Sequence, residues 1–372
     1  MPQELADHLE VLYGAGVALA IVVLLTPAVG GMARLLGVVD RPEGRRLNRR
    51  TVPRLGGLAI FLGIFVPALA FLDLGRETRG VLVGAAVATV VGAVDDFRVL
   101  APLHKLAGQI AAAAIPPVFG VWVDHFTFPL LGPVDLPGWV GVPLTVVWIV
   151  AVMNMVNFLD GMDGLAAGVC AISGVTFAVI ALSLGKPDPA ILSAIVAGAC
   201  VGFLRHNFYP ARIFLGDSGA LVLGFVLAAV SVQGLLKTAA TVSLLFPLLV
   251  LAVPILDASF VVARRLKHGE PIYAPDQAHL HHRFLRRGYG QRQAALIMWG
   301  WCATLAGAAL ATRFIGFREG GRWHAWETVG VAGIGLLALA YSVYVVYLLE
   351  IVKLGSRTPK RSLDRGEERR SA

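Results

Sequence analysis

From residue 11 to residue 33 the chain carries no charged side chain. A helix rises about 1.5 Å per residue, so this run is long enough to cross a hydrocarbon core about 30 Å thick. Further apolar runs follow at 56–72, 80–94, 106–123, 139–153, 164–184, 189–204, 218–236, 238–256, 294–312 and 328–349. Lipid offers no water to backbone N–H and C=O groups, so each run must satisfy them internally as a helix. The expected fold class is all-α, a polytopic transmembrane helix bundle of about eleven spans. Several runs are nearer about 15 residues than the usual ~20, so their helices must take in polar residues from the flanks.

No Lys or Arg precedes the first run, and no small-residue cleavage site closes it. It is expected to be a retained helix with its N-terminus outside. Lys and Arg gather in cytoplasmic loops. With that orientation the inside segments are 34–55, 95–105, 154–163, 205–217, 264–293 and the tail from 353, and they hold 25 of the 32 Lys and Arg. The C-terminus is then cytoplasmic. The net charge of +8 needs no nucleic acid partner, because basic loops beside an anionic leaflet attract membrane lipids and phosphorylated substrates. A chain that is 57% hydrophobic and 15% charged is not a water-soluble domain.

Nothing divides residues 1–352, which read as one integral-membrane catalytic domain. The tail 353–372 is rich in charge and poor in apolar residues, so disorder is expected there. Residues 122–137 mix aromatic, Pro and Gly residues in a way that suits a small hairpin. Cys170, Cys200 and Cys302 fall inside apolar runs without metal-ligand or CxxC spacing and read as packing residues. Gly333, Gly335 and Ala338 satisfy a dinucleotide fingerprint on paper, but they lie inside an apolar span with no preceding strand.

Acids near membrane spans are costly, so their placement is informative. Asp95, Asp96, Asp160, Asp163, Asp217 and Asp257 all fall at expected cytoplasmic helix ends. A transporter or lipid flippase, the rival class, would place polar groups near the bilayer midplane. Asp95 and Asp96, with Lys105 downstream, put adjacent carboxylates at a helix C-terminus, where the macrodipole opposes them; metal binding or proton abstraction would use them.

Asn154, Asn157 and Asp160 recur every three residues on one helical face, followed by Asp163. Hard oxygen donors of this kind favour Mg²⁺, or Mn²⁺ in its place, over zinc. Asp217 follows Gly216 and opens an apolar helix, where it would cap the helix or face a metal; Arg212 lies just before it. The loop after Arg264 holds Asp276 and then His279-Leu280-His281-His282-Arg283, histidines and an arginine suited to pyrophosphate or nucleotide; zinc competes without supporting ligand spacing. Arg45, Arg46 and Arg54 in the first inside loop serve either the site or the positive-inside bias.

In these loops, from Asp40 to Arg283 in motif order, the sequence resembles the polyprenyl-phosphate N-acetylhexosamine-1-phosphate transferase superfamily. The branch it looks like is the undecaprenyl-phosphate N-acetylglucosamine-1-phosphate transferases. The sibling peptidoglycan phospho-MurNAc-pentapeptide translocases carry three consecutive histidines and a Thr-Pro-Thr-Met-Gly-Gly stretch. Here the corresponding places read His279-Leu280-His281-His282 and Val52-Pro53-Arg54-Leu55-Gly56-Gly57.

The resemblance implies a bacterial inner-membrane enzyme with its site on the cytoplasmic face. It would take a UDP-N-acetylhexosamine and a polyprenyl phosphate as substrates. By it, Asn157 and Asp217 would hold Mg²⁺, and Asp95 and Asp96 would serve the lipid phosphate or its deprotonation. Asp160 and Asp163 would shape the nucleotide site. His279, His281, His282 and Arg283 would contact the nucleotide sugar, with Lys105, Asn154, Arg212 and Arg54 as further substrate-binding residues. A homodimer is compatible with the 42 glycines, which let helices pack closely.

Overall fold

A computed structural model describes residues 2–41, 51–128, 132–236, 245–269, 279–315, 318–319, 322–323 and 325–349. Arg45, Arg46, Asp276 and the tail 353–372 lie outside the described residues. The helices are α1 (Pro2–Leu35), α2 (Gly56–Phe71), α3 (Arg76–Arg98), α4 (Pro102–Val118), α5 (Gly138–Leu159), α6 (Leu165–Ser183) and α7 (Pro187–Asn207). They continue with α8 (Gly216–Val230), α9 (Leu245–Val250), α10 (Ala252–His268), α11 (Leu280–Arg286), α12 (Gln291–Phe314) and α13 (Ala325–Leu348). A π-helical turn over Ser231–Leu236 prolongs α8. Among the described residues eight helices are long and apolar enough to cross a membrane, and α2 is a shorter apolar helix of 16 residues. The chain is a multi-pass membrane protein.

The bundle is organised around α8. Of its apolar window 89% is buried inside the protein, against 22% for α1 and 11% for α13, which therefore face lipid. The helices α2, α3 and α5 pack on α8, while α6 and α7 pack on each other and α7 on α1. In lipid the apolar effect does not drive helices together, so close backbone approach through small residues carries more of the packing. Gly92 on α3 lies against the backbone of Asp217 and Ser218, where a Cβ would sit 2.5 Å from the Asp217 carbonyl. Gly224 on α8 lies against Met153 on α5, where a Cβ would come within 2.6 Å of its Cα.

The expected span at 238–256 takes another form. Its described part consists of α9 and α10, interrupted at Leu251. Pro254 has no N–H to continue a helix from above, but it is tolerated in the first turn of a new one. The second helix then runs on to His268, carrying Arg264, Arg265 and Lys267.

Among the described residues three antiparallel two-stranded ladders complete the fold. β1 (Val39–Asp40) pairs with β2 (Val52–Pro53), bringing the ends of the first inside loop together. β3 (His125–Phe128) and β4 (Gly132–Asp135) form the hairpin expected between residues 122 and 137. β5 (Arg318–Glu319) and β6 (Arg322–Trp323) form another that the sequence did not announce.

Candidate active site

Segments far apart in sequence meet at one end of α8. The stretch after β2 runs beside the entry to α8: Phe214 N–H donates to Pro53 O (2.9 Å), Gly56 N–H to Phe214 O (3.0 Å) and Gly57 N–H to Leu215 O (2.8 Å). Leu55 holds this bend with φ 76°, a left-handed conformation that costs a branched residue energy, and it is fully buried. The bend places Arg54 beside Asp160 and Asp217.

The two acids of α3 divide their work. Both oxygens of Asp96 are taken by the start of α8: Asp217 N–H donates to Oδ1 (2.9 Å), and Ser218 N–H (3.0 Å) and Oγ–H (2.7 Å) donate to Oδ2. No side chain of α8's own entry caps that helix, so Asp96 supplies the cap from a neighbouring element. This answers the alternative reading of Asp217 as a cap and leaves the Asp217 carboxylate to other partners.

Those partners converge on one point. The Lys105 ammonium, in the first turn of α4, lies 2.8 Å from Asp95 Oδ2, 2.6 Å from Asp217 Oδ1 and 3.2 Å from Asn157 Oδ1. Asn157 also donates from Nδ2 to Asp217 Oδ1 (2.5 Å). Asp95 is held in turn by the Leu100 N–H, 2.6 Å from its Oδ1. Three oxygens from three helices thus surround a single cation position. Among the described residues no three His, Cys, Asp or Glu side chains form a ready-made metal cage. Two carboxylates and an amide nevertheless suit Mg²⁺, which keeps several waters or substrate phosphates and takes only one or two carboxylates from a protein.

The loop after α5 borders this point. Asp160, the C-cap of α5, accepts from the Gly216 N–H; burial first, then the charges of Asp217 and Asp96, push its carboxyl well above the ordinary range. Asp163 is buried and accepts from Ala211 N–H (2.9 Å), and burial raises its pKa. Asn207 clamps the two loops, accepting from Gly164 N–H (3.0 Å) and donating to Ile213 O (2.9 Å). Asn154 is turned onto α4 in a reciprocal amide pair with Gln109, at 2.9 and 3.2 Å, rather than onto the Lys105 point. Arg212 is exposed on the turn before α8.

The histidines close the other side. His279 faces Asp257 of α10 through Nδ1, 2.9 Å from Oδ2, and Leu280 N–H donates to the other Asp257 oxygen (2.7 Å). The His279 ring lies 5.3 Å from Phe158 at the end of α5. His281 is buried against Gly161, where a Cβ would collide with its ring, and neither ring nitrogen has a hydrogen-bond partner among the described residues. Burial, then the charges of His282 and His279, hold its pKa well below the ordinary value, which favours the neutral imidazole. His282 lies 4.2 Å from His281, and Arg283 stacks over Phe260 of α10 at 4.2 Å.

Gln109, Asn207, Ser218, Phe158 and Asp257 are site-building residues that the sequence reading left without a role. Asp257 was the legible one, an acid at an inner helix end. The others are ordinary side chains that only their neighbours single out.

The model for glycosyl transferase family 4 matches residues 78–235, a segment containing Asp95, Lys105, Asn157 and Asp217. A probable undecaprenyl-phosphate N-acetylglucosaminyl 1-phosphate transferase of Bacillus subtilis is 40% identical over 285 residues, covering 76% of this chain and 79% of that protein. A decaprenyl-phosphate N-acetylglucosaminephosphotransferase of Mycobacterium leprae is 36% identical, covering 80% of this chain and 82% of its own. A phospho-N-acetylmuramoyl-pentapeptide-transferase of Desulforudis audaxviator is 33% identical, covering 82% and 98%.

Proposed function

This chain belongs to glycosyl transferase family 4, and on that premise we propose that it transfers N-acetylglucosamine-1-phosphate from UDP-N-acetylglucosamine to undecaprenyl or decaprenyl phosphate, releasing UMP. The reaction takes place at the cytoplasmic face of a bacterial inner membrane. It is the first membrane step of a cell-envelope glycan. The observation that carries the reading is the convergence of Asp95, Asn157 and Asp217 on one point at a helix end, where a lipid headgroup can reach it.

Exchange between a pyrophosphate and a phosphate calls for charge neutralisation and in-line positioning more than for a covalent catalyst. Asp217 and Asn157 would hold Mg²⁺, and the ion would supply neutralisation of the negative charge of the pyrophosphate. An oxygen of the lipid phosphate attacks the sugar-linked phosphorus; the new bond completes a lipid-linked pyrophosphate, and the bond to the α-phosphate oxygen breaks with departure of UMP. Asp95 takes any proton left on the lipid phosphate, since Asp96 is committed to the helix cap. The Asp160–Asp163 loop shapes the nucleotide side. His279 and His282 with Arg283 contact the sugar or its phosphates, and the neutral His281 accepts or donates one uncharged hydrogen bond. A homodimer would be compatible with this arrangement.

The second reading is the phospho-MurNAc-pentapeptide translocase, favoured by the relatives of that name and opposed by the His-Leu-His-His stretch. Purified protein with undecaprenyl phosphate and Mg²⁺ distinguishes them. Release of UMP from UDP-GlcNAc, and none from UDP-MurNAc-pentapeptide, is the expected result; the reverse preference would overturn the proposal.

A further inference from the structure

The Lys105 ammonium stands at the shared point of the very oxygens that suit a divalent cation. The side chain is only 19% exposed, and the oxygens come from helices held by the bundle rather than from mobile tips. Asp217 Oδ1 serves Lys105 and Asn157 together, so it has no lone pair to spare for a further cation on the same side. A monovalent ammonium and a divalent ion at contact distance from these oxygens repel each other strongly where water is partly excluded. Lys105 differs from every other group at the point in having a long stem of rotatable bonds, rooted in the first turn of α4.

We propose that Lys105 is an exchangeable counter-ion: it neutralises the Asp95–Asn157–Asp217 cluster, and a divalent cation enters only by displacing its ammonium. The inference rests on the reading of Asp217 and Asn157 as the metal site. The carboxylates are never left facing one another uncompensated, which keeps α3, α5 and α8 together at this end. The displaced ammonium is then available to an incoming phosphate anion, so cation entry readies the site for its anionic substrates. Lys105 in this role tunes cation affinity downward, as an internal competitor.

The test is Mn²⁺ binding to the detergent-solubilised full-length protein, read by the loss of free-ion electron paramagnetic resonance signal. Lys105→Met keeps the stem and removes the competitor, and its dissociation constant should fall about tenfold or more below that of wild type. Asp217→Asn should bind far more weakly than wild type. Unchanged or weaker binding in Lys105→Met, with wild type binding normally, overturns the exchange while leaving the metal site standing. Absence of binding in all three overturns both.

Because an uncompensated carboxylate cluster in Lys105→Met could impair folding, a second measurement uses wild type alone. Acetylation of Lys105 by an amine-reactive reagent, followed by mass spectrometry, should accelerate severalfold when Mg²⁺ saturates the protein. Labelling of Lys105 that is unaffected or slowed by Mg²⁺ contradicts the displacement.

Discussion

At the scale of single residues, neighbouring acids that look alike in sequence hold different positions. Asp95 faces Lys105, whereas Asp96 caps α8 with both oxygens. Asp217→Asn should abolish UMP release while the solubilised protein keeps its elution volume and melting temperature; retained turnover would remove Asp217 from the metal role. His279→Ala should raise KM for UDP-GlcNAc about tenfold, and Asp257→Ala, which removes both acceptor oxygens serving His279 Nδ1 and the Leu280 N–H, should reproduce most of that rise. An unchanged KM in both would place the pair outside the substrate site.

Asp163 has a pH consequence. Its raised pKa means that the folded protein holds this proton more firmly than the unfolded chain does. That contribution is complete below the ordinary carboxylate pKa of about 4 and is lost as pH rises through the raised value. Asp163→Asn keeps an acceptor for Ala211 N–H and cannot ionise. Its melting temperature should gain on wild type as pH rises above about 4, as thermal unfolding in detergent would show.

Among the elements, α8 is the one on which the site depends. Its start is capped by Asp96 from α3 and lies against Gly92 of α3 and Gly57 of α2. Gly92→Ala would press a methyl group into the Asp217 and Ser218 backbone, and overpacking of this kind costs about 1–3 kcal/mol. The expected outcome is a lowered melting temperature together with a fall in kcat, since the same shift moves Asp217 off the Lys105 point. A variant with wild-type stability and activity would mean that α8 has room the close approach denies. α10 matters in a similar way. Because the chain breaks at Leu251 and restarts, Asp257 comes to lie against His279 instead of inside a continuous span.

For the whole molecule, the asymmetric distribution of basic loops is the ground for the proposed orientation, in which the end of the bundle where Asp95, Asn157 and Asp217 meet faces the cytoplasm. The three native cysteines are buried and give little background labelling. Introduced at exposed positions, Ala101→Cys should react with a membrane-impermeant maleimide only after the cells are opened, and Pro187→Cys should react in intact spheroplasts. The opposite pattern would invert the topology.

The sequence alone was enough for the helical bundle, because runs without charge have no other solution in lipid, and it drew attention to the acids at helix ends, because acids beside membrane spans are costly. It named Asp95, Asn157, Asp217 and Lys105, but it could not tell Asp95 from Asp96 or assign Asn154 to its partner Gln109. Those distinctions depend on which way each side chain turns across helix contacts tens of residues apart, as with Lys105 and Asp217, which lie 112 positions apart in sequence. Local periodicity holds no record of such contacts. Only the close approach of α3, α4, α5 and α8 decided that one acid would cap a helix while its neighbour joined two others around a single cation position.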